Sequence, residues 1–121
     1  MLLAGSHILV LEDELLVAFD LADELTDRGA RPAVAHTVGD ALTLLLSRRP
    51  DAAVLDVNLG AELCWPVARK LTADRVPFFL VSGRQMKGRL PAGVEPEDCL
   101  EKPVVAHALV DLLEGFIQGA A

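Results

Sequence analysis

Aromatic residues and cysteines are scarce in this chain of 121 residues, which contains four Phe, one Trp, no Tyr and two Cys. Hydrophobic residues nevertheless make up 52% of the sequence, so we expect a sizeable core built from aliphatic side chains. Cys64 and Cys99 have neither the spacing of a metal site nor that of a disulfide framework. Their scarcity excludes a disulfide-stapled fold and favours a reducing compartment.

Long apolar runs and a signal peptide are absent as well. No stretch approaches the ~18 apolar residues that a membrane-spanning helix requires, and the first residues lack a basic start. We therefore expect a cytoplasmic protein that has no membrane partner.

Basic residues are outnumbered by acidic ones. Eleven Lys and Arg stand against 18 Asp and Glu, which gives a formal net charge of −7. A surface that binds nucleic acid faces phosphates and must be basic, so the balance argues against a nucleic-acid partner. The length fits one compact domain, and we expect residues 1–121 to form it.

Short aliphatic runs alternate with longer segments whose apolar residues recur at helical spacing. The runs at 8–11, 53–55 and 78–81 are continuously apolar, which is typical of strands buried on both faces of a parallel sheet covered by helices. The pattern predicts an α/β fold with a doubly wound, five-stranded parallel sheet. The predicted strands are His7–Glu12, Arg31–His36, Ala52–Asp56, Pro77–Ser82 and Asp98–Glu101.

Helices are predicted between the strands and after the last one, with Leu15 and Leu46 among the residues that face inward. The segment Gly83–Pro96 contains three Gly and two Pro, so the fourth helix, expected there, should be short or irregular. The other predicted helices are Glu14–Arg28, one capped by Thr37, one opening at Pro66 and one after Pro103.

Polar residues follow most of the predicted strands. In an open parallel sheet, ligands bind outside the carboxyl ends of the strands, near the point where strand order reverses. The side chains expected to meet there are Glu12 and Asp13 after the first strand, Asp56 after the third, Ser82 after the fourth and Lys102 after the fifth.

This set of three carboxylates, one hydroxyl and one ammonium suits magnesium-assisted phosphoryl transfer. Mg²⁺ prefers oxygen ligands and commonly takes one or two carboxylates together with phosphate and water. A carboxylate such as Asp56 can act as a nucleophile and become an acyl phosphate. The metal, Lys102 and the Ser82 hydroxyl could neutralise the peripheral oxygens of the transferring group.

Four motifs at these strand ends carry a resemblance to a known family. They are Val-Leu-Glu-Asp-Glu at 10–14, Val-Leu-Asp-Val-Asn-Leu at 54–59, Leu-Val-Ser-Gly at 80–83 and Leu-Glu-Lys-Pro at 100–103. In order and approximate spacing the chain resembles bacterial response-regulator receiver domains, the CheY-like superfamily, over essentially its whole length. The resemblance implies a flavodoxin-like sheet with strand order 2-1-3-4-5 and a single receiver domain without an output domain.

The resemblance also implies a function in two-component signal transduction. A receiver takes a phosphoryl group from the phosphohistidine of a sensor histidine kinase or phosphotransfer protein, in a reaction that depends on Mg²⁺. It promotes its own phosphorylation and slow dephosphorylation rather than turning over a metabolite. Phosphorylation then changes its contacts with a downstream protein, whose identity the sequence leaves open together with homodimerisation.

Carried over by position, the resemblance assigns a role to each strand-end residue. Asp56 matches the phosphoacceptor and Ser82 the switch hydroxyl. Lys102 matches the lysine that pairs with the phosphoryl oxygens, and its bond to Pro103 matches the cis peptide of the family. The implied metal ligands are Glu12 through water, Asp13 and Asp56 directly, and Asn58 through its backbone carbonyl.

Three positions bear on how the switch would operate. Gly83 matches the small neighbour that keeps the site open. Cys99 stands three residues before Lys102, where the family usually has an aromatic switch residue, and Gly60 replaces the common Pro after the acceptor. The phosphorylation chemistry is therefore expected to be complete, while the mode of readout is left open.

Two other functions require a residue or a loop that this chain lacks. A phosphatase of the haloacid-dehalogenase type needs a second Asp two residues beyond its nucleophile, and Asn58 stands there. A nucleotide-binding protein of similar fold needs a Gly-rich phosphate loop after the first strand, where this chain has carboxylates. A degenerate receiver that acts as a phosphorylation-independent interaction module remains the alternative.

The remaining polar residues near these motifs are interpreted structurally. Glu14 is the acidic residue that opens the first helix, where its charge favours the helix dipole. His7, His36 and His107 share no metal-ligand spacing and are interpreted as incidental. Trp65 is expected to pack near the start of the third helix.

Overall fold

A computed structural model describes residues 3–83 and 90–119. Strands and helices alternate from the amino terminus, as the aliphatic and helical patterns of the sequence predict. The strands are β1 (His7–Leu11), β2 (Arg31–Ala35), β3 (Ala52–Asp56), β4 (Phe78–Ser82) and β5 (Asp98–Glu101). The helices are α1 (Leu15–Asp27), α2 (Val38–Ser47), α3 (Trp65–Ala73) and α4 (Ala106–Gly119).

The five strands form one parallel sheet in the order β2-β1-β3-β4-β5. Every residue of β3 and β4 is buried, whereas residues of the edge strand β2 alternate between exposed and less exposed positions. The burial explains why the central strands are continuously apolar, since both of their faces are covered. The predicted doubly wound fold and strand order are confirmed.

Each face of the sheet carries its own layer of core residues. On one face, Leu9, Leu55 and Leu80 belong to a cluster that includes the buried residues of α2 and α3. On the other face, Val10 and Val54 belong to a cluster that includes Leu21 of α1 and the buried residues of α4. The alternation of neighbouring residues between the two layers follows from the two-residue period of a strand.

Two leucines predicted to face inward are exposed. Leu15 is 54% exposed and Leu46 is 85% exposed. Leu15 lies in the first turn of α1, where Leu16 and Val17 are exposed too. Leu46 follows Leu45 by one residue, which rotates it by about 100° around the helix axis and away from the stripe that packs on the sheet.

The bounds of the elements differ from the predicted ones by one residue at several ends. β1 ends at Leu11 and β2 at Ala35, β4 begins at Phe78, and α1 begins at Leu15 with Glu14 as its N-cap. Glu12 therefore lies immediately beyond its strand. Ends defined by backbone hydrogen bonds commonly differ from pattern-based ends by this amount.

The segment between β4 and β5 lies only partly within the described residues. Residues 90–96 contain no helix, and Gly93 has a left-handed φ of +80°. Residues 84–89 lie outside the described part, so the prediction of a short or irregular fourth helix is tested only over 90–96, where no helix is present. Within residues 3–83 and 90–119, no helix combines the length and apolarity needed to cross a bilayer.

Candidate functional site

The sheet topology brings the predicted carboxylates together at one edge. Strand order reverses at β1, which pairs with both β2 and β3, so the residues after β1 and β3 lie at the switch point of the sheet. Glu12, Asp13 and Asp56 each offer a carboxylate oxygen there, and these atoms lie within 4.8 Å of one another. Glu12 and Asp56 are buried, whereas Asp13 is exposed.

Asp56 is held by contacts with a lysine and with its own loop. Its side chain is 4% exposed, and Oδ2 lies 2.9 Å from Nζ of Lys102. Its other oxygen, Oδ1, accepts a hydrogen bond of 3.2 Å from the backbone N–H of Asn58. Burial alone would lower the pKa of Lys102, but the hydrogen bond and charge of Asp56 outweigh it and raise that pKa.

Glu12 is a buried carboxyl group in an acidic environment. Its Oε1 lies 3.8 Å from Nζ of Lys102, and its Oε2 accepts a hydrogen bond of 3.2 Å from the backbone N–H of Glu14. Burial, together with the neighbouring carboxylate of Asp56, raises the pKa of Glu12 to about 8. Among the residues that the structure describes, one ammonium lies beside this cluster of three carboxylates, a donor set that fits a divalent cation with oxygen ligands.

The pKa of Glu12 leads to a prediction about the metal-free protein. A carboxyl group whose pKa is higher in the folded than in the unfolded protein stabilises the fold at acid pH. For Glu12 this contribution to the free energy of unfolding is lost as the pH rises from about 4.5, the unfolded value, through about 8. The Glu12→Gln variant carries no titrating carboxyl group, so its free energy of unfolding should fall less over that window. After allowance for solvent screening, we expect a difference on the order of 1–2 kcal/mol.

Urea unfolding of both proteins at pH 5 and pH 8 in the presence of a chelator measures this difference. All other ionisable groups are common to the two proteins, so their contributions cancel in the comparison. An identical pH dependence of wild type and variant would show that Glu12 is ionised throughout.

Ser82 and Lys102 are linked through the backbone of adjacent strands. Ser82 is the last residue of β4 and is buried, and its carbonyl accepts a hydrogen bond of 2.7 Å from the N–H of Lys102. The Lys102–Pro103 peptide is cis, as the resemblance implies. A Cβ built on Gly83 would meet no heavy atom within 4 Å, so this position leaves space beside the site.

A cavity of about 420 Å³ opens next to these groups. Asp56, Lys102 and Gly83 line it together with apolar residues, among them Val17 and Leu109. The cavity is bounded by α1 on one side and by the segment after β5 on the other. Asp56 therefore borders a cavity although its own side chain is almost fully buried.

The segment Val57–Cys64, named here the acceptor loop, is closed by its own backbone hydrogen bonds. The N–H of Leu59 donates to the carbonyl of Glu62 at 2.9 Å, and the N–H of Cys64 donates to that of Val57 at 3.0 Å. Gly60 has a φ of +78°, a left-handed conformation that favours glycine. This turn requirement gives a physical reason for Gly60 where the family commonly has Pro.

Two residues near the site were not anticipated from the sequence. His36, interpreted as incidental, hydrogen-bonds through Nδ1 to the carbonyl of Glu12 at 2.8 Å, so Nδ1 carries the proton. Glu62 accepts a hydrogen bond of 3.1 Å from the backbone N–H of Val38. Each pair is separated by 24 residues in sequence, and no local pattern signals such a contact.

Cys99 and Trp65 contribute to the packing of the core. Both are partly buried against the core layer that includes α2 and α3. Burial, with a smaller contribution from Asp98, raises the pKa of the Cys99 thiol. A thiol that remains protonated is a poor nucleophile, so its role here is that of a small core residue.

The comparisons with known proteins give a consistent result. No family model matches the chain. The response regulator MprA of Mycobacterium tuberculosis is 31% identical over 120 residues, which cover 93% of this chain and 50% of that protein. The chain thus spans about half the length of the curated relatives it matches.

Solved structures show the same fold. A CheY-like response-regulator receiver domain protein from Methanospirillum hungatei has a TM-score of 0.83 at 19% identity, with 96% of each chain covered. The response regulator protein TrrA from Thermotoga maritima, solved in complex with Mg²⁺-BeF, has a TM-score of 0.77 at 19% identity, with 91% of this chain and 97% of that one covered. The chain thus has the fold of CheY-like receiver domains, and 93% of it is similar in sequence to the response regulator MprA.

Proposed function

We propose that this protein is the phosphoacceptor of a two-component system, in which a phosphoryl group passes from phosphohistidine to Asp56. The observation that carries the proposal is the constellation at the sheet edge. The buried carboxylate of Asp56 lies 2.9 Å from the ammonium of Lys102 and within 4.8 Å of the carboxylates of Glu12 and Asp13. The complex of TrrA with Mg²⁺-BeF supports the use of a magnesium ion at this edge.

In the proposed reaction, a carboxylate oxygen of Asp56 attacks phosphorus while the bond from phosphorus to the donor imidazole nitrogen breaks. The electron pair of that bond leaves with the imidazole, which takes up a proton, and Asp56 becomes an acyl phosphate. The cavity beside Asp56 leaves room for the donor ring. The transition state is loose, so positioning and charge neutralisation are the main requirements on the protein.

Each neighbouring group has a defined part in this proposal. When bound, Mg²⁺ neutralises charge on the phosphoryl oxygens, and its ligands would be Asp13, Asp56 and the carbonyl of Asn58, with Glu12 acting through water. Lys102 pairs with a phosphoryl oxygen once the charge of Asp56 has been consumed in the new bond. The hydroxyl of Ser82, on the adjacent strand end, donates to a second phosphoryl oxygen.

The proposal extends to the cellular role. Residues 1–121 would act as one receiver domain in the cytoplasm, with a sensor histidine kinase or a phosphotransfer protein as donor. Formation of the acyl phosphate would change the contacts of this domain with a downstream protein. Like other receivers, it would promote its own phosphorylation and slow hydrolysis without turning over a metabolite.

A labelling experiment with a small phosphodonor tests the proposal. Incubation of the protein with radiolabelled acetyl phosphate and Mg²⁺ should give an acid-stable, base-labile acyl phosphate. Addition of excess EDTA should lower the initial rate of labelling by at least about tenfold, because the metal supplies charge neutralisation. An absence of label under conditions in which another receiver is modified would favour the phosphorylation-independent alternative.

A further inference from the structure

We propose that Glu62 is a positioning residue for the proposed metal site, because its carboxylate connects the acceptor loop to the first turn of α2 through a hydrogen bond. The inference rests on the proposed function, because it concerns the placement of Asn58, a proposed metal ligand. Glu62 itself lies outside the set of carboxylates that face one another at the site. Its effect would therefore be transmitted through the backbone of the loop.

Glu62 is connected to Asn58 by a short, closed stretch of chain. The carbonyl of Glu62 accepts the N–H of Leu59, and Leu63 forms an antiparallel bridge with Asn58. These bonds make residues 58–63 a compact turn rather than an extended loop. A displacement of Glu62 would therefore move Asn58, whose N–H also orients the carboxylate of Asp56.

The partner of the Glu62 carboxylate is the backbone N–H of Val38, in the first turn of α2. The N–H of Val38 is one of the first-turn donors of α2, which have no partner within the helix. Thr37 caps a different donor, the N–H of Asp40, at 3.1 Å. Glu62 thus supplies the cap that Val38 lacks, and its negative charge lies at the positive end of the helix dipole.

The same junction between β2 and α2 also holds the first acidic segment. The N–H of Glu12 donates to the carbonyl of Ala35 at 3.0 Å, and the ring of His36 donates to the carbonyl of Glu12 at 2.8 Å. The junction Ala35–Val38 is therefore bonded to both segments that supply the proposed ligands. Loss of the Glu62 bond would allow the acceptor loop to move relative to the segment that contains Glu12. Metal binding would then weaken, because it depends on the distance between the ligands of these two segments.

The test is a calorimetric Mg²⁺ titration of the wild type and three variants. Glu62→Ala removes the hydrogen-bond acceptor, whereas Glu62→Gln keeps an acceptor oxygen without the charge. Glu97→Ala is the control, because it makes the same change in charge at an exposed position. Glu97 lies just before β5, at the opposite end of that strand from Lys102. We expect Glu62→Ala to weaken Mg²⁺ binding by about three- to tenfold. Glu62→Gln and Glu97→Ala should each stay within about twofold of wild type.

Hydrogen exchange of the Val38 amide in the metal-free proteins gives an independent readout. It should accelerate in Glu62→Ala and remain near the wild-type rate in Glu97→Ala. Equal Mg²⁺ affinities for Glu62→Ala and Glu97→Ala would overturn the inference, and so would equal losses in Glu62→Ala and Glu62→Gln. Either outcome can occur while the wild type is still labelled by phosphodonor and Mg²⁺. Failure of the role of Glu62 is therefore distinguishable from failure of the proposed function, in which the wild type itself takes up no label.

Discussion

Replacement of Asp56 by Asn should reduce phosphoryl incorporation by at least about 100-fold. The amide has nearly the same shape as the carboxylate, but it is a far weaker nucleophile and carries no charge to hold a metal. Incorporation is measured as acid-stable label after incubation with acetyl phosphate and Mg²⁺. The effect should be among the largest of any single substitution, because Asp56 supplies the nucleophilic oxygen of the bond that forms.

The fold should survive this change. The introduced amide retains an oxygen that can accept the N–H of Asn58, and the side chain of Lys102 is 31% exposed, so its ammonium can be hydrated when the ion pair is lost. Asp27→Asn, at an exposed position at the end of α1, is the matched control because it makes the same change in charge. Unchanged label in Asp56→Asn, or an equal loss in Asp27→Asn, would contradict the assignment.

Asp13→Ala should lower the rate of Mg²⁺-dependent phosphorylation by about two orders of magnitude, whereas Glu14→Ala should change it by less than about threefold. Asp13 offers a carboxylate oxygen within 4.8 Å of those of Glu12 and Asp56, and loss of a direct ligand removes charge where the metal binds. Glu14 is the N-cap of α1 and its side chain makes no capping hydrogen bond. Its backbone N–H, which the substitution leaves in place, donates to Glu12.

The two variants control for each other. Both remove one negative charge, the positions are adjacent, and both side chains are exposed, so neither substitution should disturb the core. Initial rates over a series of Mg²⁺ concentrations separate weaker metal binding from slower transfer. Equal losses in the two variants would show that general attraction of the acidic edge for cations, rather than ligation by Asp13, accounts for the effect.

The sequence was sufficient to predict the fold because its strongest signals are local. Continuous apolar runs identify β3 and β4 as doubly covered strands, and the polar residue that ends each run marks the same edge of the sheet. Asp56, Ser82 and Lys102 could be assigned to that edge without coordinates because parallel strands end together. The backbone bond between Ser82 and Lys102 and the ion pair with Asp56 follow from this placement.

Other features could not be predicted because they depend on contacts between distant residues. The bonds from His36 to Glu12 and from Val38 to Glu62 join segments that are remote in sequence, and neither residue type is unusual at its position. The exposure of Leu15 and Leu46 depends on which part of each helix is covered. A helical apolar pattern indicates a buried face but does not show where along the helix the covering sheet ends.

Chemical identification of the modified residue tests the central claim most directly. The phosphorylated protein is reduced with borohydride, which converts an aspartyl phosphate to homoserine, and is then analysed by peptide mass spectrometry. The account predicts homoserine at position 56 only, and only after incubation with both phosphodonor and Mg²⁺. Homoserine at position 13, or the absence of homoserine from a protein that carries label, would contradict it.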